Sequence, residues 1–439
     1  MPPTAKRQRL AQPPMGWNSF DAYGCSADDR VVRENLDAFA RLLRPAGYEY
    51  FVIDNGWFGE YRIVEGERFT RELHANDIRI DDYGRLLPSH VSFPDGFSPL
   101  IQQASTLGIK LGLHLMRGIP RKAVELNLPI EGTDAHAADI ADLADTCPWC
   151  DYMFGVNTDH PAAQAYYDSV FRLFASWGID FVKVDDIIHK PREIEAVAGA
   201  IEHCGRDLVL SLSPGGQMDP QLLPVYQRAD MFRITKDIWD RRADLDRGFE
   251  RWEAVQDLPL DGLWPDLDMI PFGKLMKWNP PGEDRENCDL LAGVGFERDD
   301  RFTPAQRRTF LAQRALAASP LFVGGDLVDM TDEIAALLTN PCMLACNQNG
   351  VVGGLQLRQP PIDVWLCPHR SSPDEWWLGI FNRSEKAWQG EFTWPQLTGF
   401  PSPAAVRDVW SGQTLEVASD LPAQLGADDV LFLHCHAGP

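Results

Sequence analysis

The fold class that the sequence predicts is α/β: a (β/α)8 TIM barrel followed by a C-terminal antiparallel β-sandwich domain. Three observations carry this. Eight short apolar, often β-branched runs alternate with segments of helical periodicity over about 340 residues, within the size range of such a barrel. No GxGxxG or GxxxxGK(S/T) follows any of these runs. A nucleotide-binding open sheet, the other architecture that alternation suggests, therefore loses support. After Asn349 the rhythm changes to short strand-like runs between Pro, Gly, Ser and Asp, the pattern of a small all-β domain. The expected division is a barrel over 1–345 and an all-β domain over 346–439.

In chain order, Met15-Gly16-Trp17-Asn18 follows a proline pair and starts the strand series. Asp28 to Leu43 opens with acidic residues and carries apolar residues at helical spacing. Tyr50 to Ile53 is a second buried strand, followed by a long polar loop and a helix over Phe97–Leu107. Lys110 to Leu115 is a third. The Ala- and Asp-rich stretch Glu131–Thr146 reads as an exposed insertion. Pro161 to Trp177 is a helix with Pro in its first turn. It leads into Phe181-Val182-Lys183-Val184, a run buried on both faces that ends in Asp185 and Asp186. After a helix over Glu193–Cys204, Leu208–Leu212 is the fifth strand and ends in Ser213-Pro214-Gly215-Gly216. Met231–Thr235 is the sixth, Trp264–Met269 the seventh. A helix over Pro304–Ala318 precedes the eighth, Pro320–Val323. The later strands are expected at Val364–Leu366, Trp376–Phe381, Gln389–Trp394, Val406–Trp410 and Val430–His434.

Composition narrows the function classes. A hydrophobic fraction of 44% suits a sizeable core, and 14 tryptophans supply platforms for sugar rings as well as core filler. A net charge of −23 argues against nucleic acid or an anionic membrane as partner. No apolar stretch is long enough to span a membrane. The N-terminal stretch is basic without an apolar h-region, so the chain as given is expected in the cytoplasm; removal of a leader would place it in the periplasm or outside the cell. Nine scattered cysteines, an odd count, fit a reducing compartment. Cys147-Pro-Trp-Cys150 is the one close pair. No thioredoxin-like strand precedes it, and two thiols are too few for structural zinc, so it is expected to be a loop feature, with a Cys147–Cys150 disulfide as the alternative.

Chemistry in such barrels sits at the C-terminal strand ends. Those ends carry Trp17, Asp54 and Asn55, His114, Lys183 with Asp185, Ser213, Arg233 with Asp237, and Asp266 with Asp268. Glycoside hydrolysis requires two carboxylates from separate positions, one at C1 and one at the leaving oxygen. Asp185 and Asp237 are the pair chosen. Lys183 precedes Asp185 by two residues and so shares its face, where an ammonium keeps a carboxylate ionised. Arg233 offers a fork of donors to sugar hydroxyls. Asp186 points to the opposite face and is expected to be structural. Asp266 and Asp268 are expected to support the rim.

Met15-Gly16-Trp17-Asn18-Ser19, Tyr48 to Trp57, Gly84-Arg85-Leu86, Phe93 to Gly96, Leu107 to Gly112, Trp177-Gly178 with Phe181 to Asp185, Trp264 to Met269, and Ser319 to Phe322 with Asn347-Gln348 occur in register. Together they resemble the α-galactosidase and α-N-acetylgalactosaminidase family, glycoside hydrolase family 27, over nearly the whole chain. The resemblance implies an exo-acting, retaining double displacement that releases terminal α-galactosyl residues, with no metal or organic cofactor. By motif position Asp185 is the implied nucleophile and Asp237 the general acid/base. Asp54 and Asn55 match the pair that holds O4 and O6, Trp17 the aromatic that packs on the sugar, and Lys183 and Arg233 hydroxyl-binding positions.

Three positions depart from the family pattern: Asn55 where Asp is usual, His114 where Tyr is usual, and Ser213–Gly216 where a Cys-Glu-Trp type sequence or a small-residue variant selects the 2-substituent. These put the sugar in doubt more than the reaction. An α-N-acetylgalactosaminide, a β-L-arabinopyranoside or an α-1,6-glucan are the alternatives, and a non-catalytic carbohydrate-binding barrel is the third class. A carbohydrate is the expected partner; the oligomeric state, with a homodimer among the options, stays open.

Overall fold

The computed structural model describes residues 10–60, 78–216, 218–277, 297–399 and 402–437. The start of the basic N-terminal segment and part of the polar loop after the second strand lie outside them.

Eight parallel strands form one sheet: β1 (Met15–Asn18), β2 (Tyr50–Ile53), β3 (Lys110–Met116), β4 (Phe181–Asp185), β5 (Val209–Leu212), β6 (Met231–Arg233), β7 (Trp264–Asp266) and β8 (Leu321–Val323). Their order is β7-β6-β5-β4-β3-β2-β1-β8, so each strand pairs with its neighbour in sequence and β1 pairs with β8. The seam between β7 and β8 is closed just beyond β7. Ile270 makes a parallel bridge to Val323, donating to the Phe322 carbonyl at 2.7 Å and accepting from Gly324 N at 2.9 Å. The sheet is thus a closed barrel.

The intervening helices form for reasons visible in sequence. Asp29–Leu42 is capped by the Asp28 side chain, which accepts from Val31 N at 3.0 Å. Ala162–Trp177 follows Pro161 and ends at Gly178 with φ 92°, a left-handed position that glycine takes without strain. Pro304–Leu316 starts with a capping box between Thr303 and Gln306.

Residue parity along the strands decides what each side chain meets. Tyr50, Val52, Phe181, Val209, Met231, Trp264 and Phe322 form a cluster inside the barrel. Their neighbours Phe51, Val182, Leu210, Phe232 and Leu321 face the helices, in the large outer core. Continuing the inward parity up each strand reaches Asn18, Asp54, His114, Lys183, Asp185, Arg233 and Asp266.

The C-terminal region is a six-stranded antiparallel sheet, in the order Gly354–Gln359, Ile362–Pro368, Glu375–Asn382, Val430–His436, Ala405–Asp408, Thr414–Leu415. A two-stranded sheet, Trp388–Thr393 with Asp420–Leu425, faces it across a core that includes Leu378, Phe392, Trp394 and Leu433. The other face of the large sheet meets the barrel. Trp365 stacks on Trp252 with centroids 3.7 Å apart, and Phe381 packs edge-on against Phe249. Arg242 pairs with Asp428 at 3.0 Å across the same junction.

Several local expectations need correction. The strands Gly354–Gln359, Thr414–Leu415 and Asp420–Leu425 are additional to those read from sequence; the first is largely polar, which masked it. The seventh strand stops at Asp266, three residues early, because Asp268 turns the chain with φ 72°. The stretch at 131–146 is only partly exposed: Ala137 and Ile140 are buried, and Asp145 is bound to Arg117 and Lys190. Cys147 and Cys150 are buried free thiols in a turn. Among the described residues no helix is long and apolar enough to cross a membrane.

Candidate active site

A cavity opens at the C-terminal mouth of the barrel. It is lined by Asp54, Asn55, His114, Lys183, Asp185, Arg233 and Asp237, together with Phe20, Asp21, Trp239, Asp268 and Met269. Seven of the nine residues expected from sequence therefore converge on one space.

Asp54 ends the inward series of β2 and is 2% exposed. It accepts from Asn18 Nδ2 at 2.7 Å and from Lys183 Nζ at 2.9 Å. Burial alone would raise its proton affinity; the Lys183 charge, His114 and these hydrogen bonds outweigh it and hold the carboxyl below the usual range. Asn55 Oδ1 is taken by the Tyr152 hydroxyl at 2.8 Å, which leaves its amide N–H groups for a ligand.

Asp185 sits at the end of β4 with Lys183 on the same face, as parity requires. His114 Nε2 lies 3.3 Å from its Oδ2, and the Asp186 N–H donates to its Oδ1 at 2.9 Å. Burial pushes its proton affinity up, but the His114 hydrogen bond and the Lys183 and Arg233 charges prevail and hold it well below the carboxylate range. Asp185 is thus a desolvated, ionised carboxylate. Lys183 is likewise held well above its ordinary value, because Asp54 and Asp185 overcome the cost of burying an ammonium.

Arg233, at the end of β6, is buried. It pairs with Asp268 at 3.1 Å and with Asp237, and its Nε donates to the Thr235 carbonyl at 3.2 Å. Asp237 lies on the loop beyond β6, and its side chain is 61% exposed, against 16% for Asp185. The two carboxylates therefore face one cavity in opposite environments.

Three further acids flank the site, and Asp268 also lines the cavity. Asp268 accepts the Ile238 N–H at 2.8 Å besides binding Arg233, which fixes the loop carrying Asp237. Asp266 accepts the Asp268 N–H at 2.9 Å; burial and the Asp268 charge push its carboxyl up to about 7. Asp186 turns away from the cavity and pairs with the buried Arg117 at 2.9 Å.

Two expectations fail on geometry. Trp17 is fully buried on the outward face of β1, stacked on Phe51 at 4.5 Å, with its indole N–H on the Gly325 carbonyl at 2.8 Å. It does not reach the cavity; Phe20 and Trp239 are the aromatic side chains there. Sequence alternation at Gly16-Trp17-Asn18 left open which residue faces inward, since no register was available. Ser213 is 1% exposed and lines a second space inside the barrel, beneath the mouth, with Asn18, Ser211 and Asp266. The following loop is pressed against β6, where a Cβ on Gly215 would stand 2.1 Å from the Thr235 carbonyl oxygen. The Ser-Pro-Gly-Gly sequence permits that close approach. Asp21 was not expected at all. It is buried, one carboxyl oxygen lacks a hydrogen-bond partner, and burial with the Asp268 charge pushes its proton affinity well up.

The comparisons fit this arrangement. A family model described as alpha galactosidase A matches residues 149–349, and one described as the alpha galactosidase C-terminal beta sandwich domain matches 359–434. A solved β-L-arabinopyranosidase of glycoside hydrolase family 27 from Geobacillus stearothermophilus, in complex with arabinose, is 35% identical, with 98% of each chain covered and a TM-score of 0.89. This chain belongs to glycoside hydrolase family 27. It is a glycoside hydrolase. An α-galactosidase from Cyamopsis tetragonoloba is 25% identical over 93% of this chain and 82% of its own length. The α-galactosidase I of Mortierella vinacea shares the fold at 19% identity and a TM-score of 0.71, with 98% of each chain covered.

Proposed function

We propose that this family 27 enzyme releases terminal α-galactosyl residues with retention, through a covalent glycosyl-enzyme on Asp185. The observation that carries the proposal is the contrast between its two carboxylates. Asp185 is largely enclosed and ionised at pH 7, as a nucleophile must be; Asp237 is solvent-accessible, where a leaving group and then a water arrive. In the first step Asp185 attacks the anomeric carbon while Asp237 gives its proton to the departing oxygen. In the second, Asp237 takes a proton from water, whose oxygen attacks the anomeric carbon and breaks its bond to the Asp185 carboxylate. Asp54, Lys183 and Arg233 supply charged partners for ring hydroxyls, and Asn55 supplies neutral donors. Phe20 or Trp239, in place of Trp17, provides the aromatic wall.

A second reading is a β-L-arabinopyranoside, favoured by the 35% identity to the Geobacillus enzyme. α-D-Galactopyranosides and β-L-arabinopyranosides share ring configuration and differ by the hydroxymethyl group at C5. Asn55, fixed by Tyr152, is the residue on which that choice would turn. A panel of aryl α-galactoside, α-N-acetylgalactosaminide, β-L-arabinopyranoside and α-glucoside tests both readings. The highest kcat/KM on the α-galactoside is expected; a higher value on the arabinopyranoside selects the second reading, and no turnover of any overturns both.

A further inference from the structure

We propose that Glu375, His434 and His436 form a binding site for one divalent transition-metal ion of the zinc class, on the C-terminal β-domain and apart from the catalytic cavity. His434 and His436 are two residues apart on the strand Val430–His436, so both imidazoles project from one face. Glu375 stands opposite His436 in the antiparallel register with Glu375–Asn382, and Trp377 stands opposite His434. One donor atom from each of the three residues lies within 4.8 Å of the other two. The carboxylate is placed between the rings: Oε2 is 3.7 Å from His434 Nε2, and Oε1 is 3.5 Å from His436 Nδ1. Donors around tetrahedral zinc stand about 3.3 Å apart, given bond lengths near 2.0–2.2 Å. Side-chain rotation on a fixed sheet therefore closes the set.

The ring nitrogen at the centre of the cluster is poorly satisfied: His434 Nε2 is buried and its nearest acceptor, Glu375 Oε2, stands at 3.7 Å, beyond a normal hydrogen bond. Its ring is held in place by Trp377, stacked at 4.7 Å with an interplanar angle of 10°. His369 stacks on the same indole, and its Nδ1 accepts the Ser371 and Ser372 N–H groups at 3.2 and 3.0 Å. In the neutral ring that leaves Nε2–H facing Glu375 Oε2 at 4.0 Å, beyond hydrogen-bond distance here and within reach of a carboxylate that turns to ligate an ion. The neighbouring cation on this face, Arg407, lies opposite His434 but holds the Gly412 carbonyl at 2.9 Å. Two imidazoles and one carboxylate suit zinc, nickel or copper better than calcium or magnesium. They leave a fourth position to water. The ion would tie two adjacent strands near the end of the domain, a stabilising role with no part in turnover.

The test uses the untagged full chain, stripped with a chelator, in calorimetric titration with zinc and in a thermal melt. One ion per chain is expected, with a rise in Tm that chelator reverses, and visible bands of tetrahedral cobalt when cobalt replaces zinc. His434→Gln with His436→Gln should abolish both signals while leaving metal-free Tm and glycoside turnover at wild-type values. His369→Gln should weaken binding by about 10- to 100-fold. No heat and no Tm shift at submillimolar zinc would overturn the proposal. So would binding that survives in the double variant, which would place the ion elsewhere.

Discussion

At the scale of single residues, the balance of effects on Asp185 is the feature that most constrains the chemistry. Desolvation opposes its charge, and His114, Lys183 and Arg233 together reverse that. His114→Phe removes the hydrogen bond and keeps a ring of similar size. The proton affinity of Asp185 then rises, so the acid limb of kcat/KM is expected to move to higher pH. The loss of one charge-assisted bond should also lower kcat/KM by about 10- to 100-fold. An unmoved acid limb would mean that His114 only walls the cavity. Asp266 makes a separate prediction with the opposite sign. Its folded value of about 7 lies above the ordinary 3.8, so the folded state holds the proton more tightly. Its contribution to stability is full below the ordinary value and is lost as pH rises through about 7. Asp266→Asn keeps an acceptor for the Asp268 N–H and removes the titration. Wild type should lose stability relative to the variant across that window in urea unfolding; a difference that is flat with pH contradicts this.

At the scale of elements, the strands and most barrel helices were legible because apolar runs of four to six residues and helical periodicity need no tertiary context. The facing of Lys183, Asp185 and Asp186 was legible for the same reason, since parity is local. Register was not. It decides whether Trp17 or Asn18 points inward, and only pairing with β2 and β8 sets it. Phe20 and Trp239 lie just past strand ends, where backbone direction is set by loops that carry no periodic signal. Arg117 is a further case. It follows β3 and binds Asp145 at 2.8 Å, Glu193 at 2.8 Å and Asp186 at 2.9 Å, tying three segments that are distant in sequence. Arg117→Leu leaves Glu193, enclosed with Tyr167, and Asp186 without their ion-pair partner, while Asp145 keeps Lys190. A cost of about 3–5 kcal/mol in unfolding free energy is expected. Because Asp186 adjoins Asp185, kcat should fall as well. A variant with wild-type stability would show that the network is solvated.

At the scale of the whole molecule, the outer core of the barrel runs without a break into the C-terminal sheet, through Trp252, Phe249, Trp365, Phe381 and Phe432. The composition shift after Asn349 marked a second domain, yet it said nothing of this shared core, because aromatic residues inside strands look alike whichever face they bury. The two regions are expected to unfold in one transition. Trp365→Ala should cost about 3–5 kcal/mol and lower that single Tm. Two separate transitions in scanning calorimetry would contradict the shared core.

The central claim is that Asp185 is the nucleophile of a retaining reaction. An activated fluorosugar, 5-fluoro-α-D-galactosyl fluoride with its β-L-arabinopyranosyl counterpart alongside, should inactivate the enzyme by accumulating the glycosyl-enzyme. Peptide mass spectrometry is predicted to find one adduct per chain, on Asp185 and on no other residue. An adduct on Asp237, or continued turnover of an aryl glycoside through an unmodified Asp185→Asn variant at wild-type rate, would contradict the account.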